Sequence, residues 1–170
     1  MTLLRRIARL RVTIGFACGV LAIWLSHPTR ATLLAGGVVA LAGEAIRLWA
    51  AGHLDKGREV TSSGPYRFTR HPLYLGSTVI GLGLGYASAS RLVAVLVIAY
   101  LTITLTAAIR TEEAHLTDKF GAAYPAYREG RTHGERRRFS LARAMRNREY
   151  RAVLGLLLVL IVFAWKARLL

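Results

Sequence analysis

Cysteine is almost missing from the 170-residue chain. Cys18 stands alone, so neither an intramolecular disulfide nor a cysteine-rich metal site can be built. Acidic residues are scarce as well, with 9 Asp and Glu against 24 Lys and Arg for a formal charge of +15. What fills the chain is apolar: 54% is hydrophobic, mean hydropathy is +0.37, and these residues gather in long runs instead of the spacing of a soluble core. The length suits a single domain, 1–170. The basic excess raises nucleic acid as a partner, but the basic residues flank apolar runs and lack aromatic interleaving. Anionic lipid headgroups are the simpler partner, and no nucleic acid is expected.

Five apolar runs can be marked, at about 7–25, 31–51, 73–87, 92–109 and 152–165. Several fall short of the roughly 20 residues that a straight span requires, so tilt or a thinner bilayer has to make up the difference. Arg5, Arg6, Arg9 and Arg11 precede the first run, and the Ser26-His27-Pro28 that ends it is a poor cleavage site. A retained signal anchor is therefore expected. If the N-terminus is cytoplasmic, the outer segments keep only Arg30, Arg91, Lys166 and Arg168 of the basic residues, which satisfies the positive-inside rule. The expected fold is an all-α, polytopic integral membrane bundle of about five spans, N-terminus inside. The connections 26–30 and 88–91 are short, so spans one and two, and spans three and four, should be helical hairpins.

Between the second and third runs lies Gly64-Pro65-Tyr66-Arg67-Phe68-Thr69-Arg70-His71-Pro72-Leu73-Tyr74-Leu75-Gly76. Its two prolines predict a shaped loop that ends at a helix start, with Arg67, Arg70 and His71 at the lip. Such a lip suits an anionic group. After the fourth run come Arg110-Thr111-Glu112-Glu113, Leu116, Phe120-Gly121, Tyr124 and Tyr127. Leu116, Phe120, Tyr124 and Tyr127 recur at helical spacing and predict an apolar-aromatic stripe over Glu113 to Arg128, with Pro125 as its kink or break and a lid as its use.

The first stretch resembles the GPYR-x-x-RHP-x-Y-x-G signature of integral-membrane methyltransferases typified by isoprenylcysteine carboxyl methyltransferase and related to phospholipid methyltransferases. The second resembles that family's R-x-E-E-x-x-L-x-x-x-F-G-x-x-Y-x-x-Y element. The resemblance spans roughly Gly43 to Arg131 and implies S-adenosyl-L-methionine as methyl donor. It places Tyr66, His71, Pro72, Leu73 and Tyr74 around that cofactor, with Glu112 as the direct carboxylate contact and Glu113 as helper. Adjacent helical residues point about 100° apart, so one carboxylate alone should face the cofactor. Arg70 would hold a carboxylate of the cofactor or of the acceptor. The acceptor is lipophilic and meets the site at the cytoplasmic face. A carboxylate acceptor needs Arg110 to orient it, whereas an amine needs a base such as His71. The local wealth of arginine tips the reading toward isoprenylcysteine-like carboxyl O-methylation, with phospholipid amine N-methylation as the alternative. Two departures from the family pattern are Arg58-Glu59-Val60-Thr61 before the loop and Arg128-Glu129-Gly130-Arg131 after the second element.

Other features carry plainer readings. Gly81, Gly83 and Gly85 sit inside an apolar run with no preceding strand, so close helix packing explains them better than a phosphate loop. Glu44 and Arg47, three apart on one face, can pair in the second run, either as a satisfied ion pair or as site lining. His53 and Lys56 follow at the exit of that run. The basic segment Glu135 to Arg151 should lie in the headgroup plane, and 152–165 is an anchor or a wall of the bundle. Two readings from other classes stay open: a proton-coupled transporter of hydrophobic cations working through Glu44, and a membrane reductase with a related cofactor end.

Overall fold

The computed structural model describes residues 3–55, 60–130 and 137–169. Lys56, Arg58, Glu59, Arg131 and Glu135, named above, lie outside the described residues. Every described regular element is helical: α1 (Leu3–Trp24), α2 (Arg30–His53), a 3₁₀ turn (Gly64–Arg67), α3 (Pro72–Ala87), α4 (Arg91–Phe120), α5 (Ala123–Arg128), α6 (Leu141–Arg146) and α7 (Tyr150–Leu169). Each apolar run became one helix, and the all-α expectation holds. Three of these, α2, α4 and α7, are long and apolar enough to cross a membrane. α3 has 16 residues, about 24 Å at 1.5 Å per residue, and the apolar part of α1 is Thr13–Trp24. Large side chains such as Leu34 (72% exposed) and Ile161 (65%) point outward, the arrangement that a lipid solvent permits.

Polar side chains start the helices. Thr29 and Thr32 form a reciprocal capping box at α2, and Ser90 accepts from the Val93 amide at α4. The two short turns meet, because the His27 amide donates to the Ser88 carbonyl at 2.8 Å.

α2 and α3 form the tightest pair, running antiparallel with backbones in contact. A Cβ built on Gly36 would lie 2.4 Å from the Gly83 carbonyl oxygen, and one on Gly76 would lie 2.7 Å from that of Gly43. Glycine is obligatory at such crossings. Gly81 serves the other side of α3, where a Cβ would lie 2.5 Å from Leu101 of α4. The packing reading of these glycines holds, and α3 does pair with α4. The expected α1–α2 hairpin does not form as drawn: α1 leans mainly on α4, where Gly15 makes room for the Tyr100 hydroxyl.

Two boundaries differ from expectation. The break after α4 falls at Gly121, with φ +53 and ψ −128, a conformation open essentially to glycine alone. Pro125 instead sits within the first turn of α5, where its missing N–H costs nothing. The basic segment, described from 137 on, carries the short helix α6. It is pinned to the end of α2: Arg143 donates to the Gly52 carbonyl at 2.6 Å, and Asn147 donates to those of Ala51 and Leu54, both at 2.9 Å. α6 closes with the Arg148 amide on the Met145 carbonyl and the Glu149 amide on that of Ala144, with Arg148 at φ +61. This 6→1 and 5→2 pairing reverses the chain and delivers Glu149 to the foot of α7.

Candidate functional site

The site forms where the Gly64 loop enters α3. Gly64, at φ +58, lies against the buried His53 ring, which a Cβ there would meet at 2.6 Å. Pro65 opens the 3₁₀ turn, and its carbonyl accepts from the Phe68 and Thr69 amides at 3.1 and 3.2 Å. Pro72, fully buried, takes the first position of α3. The prolines thus shape the loop and its exit as their fixed φ predicts.

α4 continues past its apolar run and carries Glu112 and Glu113 up to this loop. The Tyr74 hydroxyl donates to Glu112 Oε2 at 2.5 Å. Glu113 Oε1 gathers three partners: Arg70 Nη1 at 3.3 Å, His71 Nε2 at 3.1 Å and the Tyr124 hydroxyl at 3.4 Å. Because a carboxylate is the acceptor, Nε2 carries the proton of His71. Both carboxylates therefore reach the start of α3. Their 100° offset straddles the helix end, placing Tyr74 beside one and Arg70 with His71 beside the other.

Tyrosine hydroxyls complete the cluster. Tyr127 donates to the Tyr66 carbonyl at 2.7 Å, tying α5 down across the loop. Burial and the Glu113 carboxylate push the Tyr124 phenol up to about 12. Burial, then the Glu112 carboxylate, raises that of Tyr66, to which Tyr127, Glu149 and Tyr74 also contribute. These phenols remain donors at neutral pH. The sequence marked Tyr124 and Tyr127 as a packing stripe; their hydroxyls are additionally site groups.

The remaining expected residues separate. His71 and Tyr74 share a face, with ring centroids 5.8 Å apart. The Leu73 carbonyl is turned to α2, where Arg47 Nη1 lies at 3.4 Å. Arg110 is exposed on α4, one turn before Glu113, and has no hydrogen bond or ion pair among the described residues.

Across α3, Arg47 Nε lies 2.7 Å from Glu149 Oε1 and 3.8 Å from Glu44 Oε2, and its Nη1 donates to Ser77 Oγ at 2.6 Å. The expected Glu44–Arg47 pair is thus present, with Glu149 as the nearer carboxylate. Glu149 was missed because it lies among arginines in the sequence; no periodicity announces a turn that drops it into the bundle.

Among the described residues, no group of three His, Cys, Asp or Glu could hold a metal ion. No solved structure matches the chain. The cobalt-zinc-cadmium resistance protein CzcN of Cupriavidus metallidurans is 36% identical over 76 residues, 44% of this chain and 35% of that protein. The nickel-cobalt-cadmium resistance protein NccN of Alcaligenes xylosoxydans xylosoxydans is 31% identical over 99 residues, 57% of this chain and 45% of that protein. The matches thus span less than half the length of these curated relatives. The family profile described as phospholipid methyltransferase matches residues 10–123, which takes in α1 to α4 and both carboxylates of the cluster. With its helical membrane fold and its paired motifs meeting at one helix end, the chain belongs to the phospholipid methyltransferase family.

Proposed function

We propose that the protein transfers a methyl group from S-adenosylmethionine to a lipophilic acceptor at the cytoplasmic face of the membrane. The observation that carries this reading is the meeting of Glu112 and Glu113 with Tyr74, His71 and Arg70 across two helices. The donor set fits the cofactor. Carboxylates accept from its ammonium or ribose hydroxyls, and Arg70 answers its carboxylate. Glu112, exposed and held by Tyr74, would exchange that hydroxyl for the ligand. Glu113, held by three partners, would orient His71 and Arg70.

When bound, the cofactor supplies an electrophilic methyl on sulfonium, leaving as a neutral thioether once the acceptor's electron pair forms the new bond. The chain's own residues then have to position and exclude water. Arg110, unengaged and one turn from Glu113, is placed to orient an anionic acceptor, which favours a carboxylate such as that of an isoprenylcysteine. The family profile itself favours the second reading, a phospholipid amine. In that case His71 Nδ1 takes the amine's proton, Nε2 being engaged by Glu113. Family membership favours a transferase over the transporter and reductase readings.

Methyl-labelled S-adenosylmethionine incubated with the protein and membrane lipid extract tests the proposal. Label in the organic phase that is released by mild alkali marks a carboxyl ester, and alkali-stable label marks an N-methyl group. Absence of transfer to extracts and to prenylcysteines alike would overturn it.

A further inference from the structure

The residue types of the site recur, differently disposed, on the opposite side of α3. A groove of about 330 Å³ runs between α2, α3 and α7, within the range of small-molecule sites. Its polar end holds Glu44, Arg47 and Ser77, and its walls are Ile80, Leu84, Leu156 and Val159. Glu149 lies beside Arg47 at this end. Small residues keep the groove open: Gly155 lines it, and a Cβ added there would meet nothing within 4 Å.

Charge is out of balance at its head. Two carboxylates face one guanidinium, whose Nη1 donates to Ser77 and the Leu73 carbonyl and whose Nε lies nearer Glu149 than Glu44 without making a hydrogen bond. Glu44 is 7% exposed, and both its oxygens lack a hydrogen-bond partner; Arg47 Nε is 3.8 Å from one of them. A buried carboxylate without donors is costly, and ionisable groups at membrane depth mark ligand sites by default. What the head lacks is a compact cation with several N–H donors. What the walls offer is a bed for an alkyl chain. An anionic amphiphile would meet two carboxylates, and a neutral one would leave the charge unanswered.

We propose that this groove binds an amphiphile with a primary ammonium head, its N–H groups donating to Glu44 and its chain lying along Ile80, Leu84 and Val159. The site is separate from the Glu112 and Glu113 cluster, and the inference does not rest on the methyl-transfer reading. The head chemistry is shared by free long-chain amines and by lipid ethanolamine headgroups.

Thermal unfolding of the full chain in neutral maltoside micelles tests this, with dodecylamine at pH 7, dodecanol, dodecyl sulfate and phosphatidylethanolamine as probes. Dodecylamine should raise the Tm saturably, by about 3 °C or more, and dodecanol and dodecyl sulfate should not. The rise should vanish in Glu44→Gln. Should that variant fail to fold, Leu84→Trp, which fills the groove and leaves its charges intact, must also abolish the rise. A matching rise with phosphatidylethanolamine identifies the lipid as the source, and its absence identifies free amines. An equal rise with dodecanol, an unchanged rise in Glu44→Gln or in Leu84→Trp, or no rise with dodecylamine would overturn the proposal. S-adenosylmethionine binding by Glu44→Gln should stay within about twofold of wild type, so failure here and failure of the methyl-transfer reading remain distinguishable.

Discussion

The two sides of α3 use the same side chains to opposite effect. On the α4 side, Glu113 is partly open to solvent and carries three partners, and Glu112 is exposed with Tyr74 on it. On the α2 and α7 side, Glu44 is buried, and both its oxygens lack a hydrogen bond. Near water an unmet carboxylate costs little and can be exchanged between partners. At membrane depth the same vacancy has to be answered by a ligand or a proton.

Both regions depend on the spacing of α2 from α3, so the largest effect should come from that crossing. Gly83→Ala would set its Cβ 2.5 Å from the Ala40 amide nitrogen, a backbone atom that cannot step aside. It should cost about 1–3 kcal/mol or more, read as a lower unfolding midpoint with binding lost on both sides. Gly19→Ala, where a Cβ meets nothing within 4 Å, should change stability by less than about 0.5 kcal/mol. Equal effects from the two would break the claim that backbone contact holds the pair.

Next in size, Asn147→Ala removes two donors from the end of α2 and should cost about 1–2 kcal/mol. The deficit should appear as faster amide exchange near Ala51 and Leu54, with little change at the Glu113 cluster. Tyr74→Phe deletes one hydrogen bond to an exposed carboxylate. It should cost no more than about 1 kcal/mol of stability while weakening S-adenosylmethionine binding severalfold, and a fall in stability without one in binding would reassign Tyr74 to structure.

The smallest effect is in pH. The Tyr124 phenol is raised to about 12 by burial and by Glu113, from an ordinary value near 10. A raised folded value means that the protonated phenol favours the native state. Its contribution is therefore complete below about pH 10 and is lost as pH rises through about 12. Tyrosinate absorbance should show late titration that moves toward 10 in Glu113→Gln.

Much of this was legible in the residues. Hydrophobic runs located the five main helices, with bounds good to a few residues except at the end of α4, which continues from 109 to Phe120, because lipid leaves helix as the way to satisfy an apolar stretch of backbone. The prolines at 65 and 72 marked the loop, and the paired motifs named Tyr74, His71, Glu112 and Glu113 before any geometry. What stayed hidden depended on distant contacts. Glu149 entered the bundle through a left-handed residue, Arg148, and α1 chose α4 over its sequence neighbour. The helix break went to Gly121 because proline is harmless in a first turn while the chain still needed a φ that only glycine supplies easily.

In the proposed function, the two carboxylates of α4 and the entry of α3 together hold the methyl donor. Equilibrium binding of S-adenosylmethionine to the purified protein in nanodiscs tests it most directly. Saturable binding is expected, weakened tenfold or more by Glu112→Ala and by Glu113→Gln with unfolding temperatures little changed. Undiminished binding in both variants, or no binding by the wild-type protein, would contradict it.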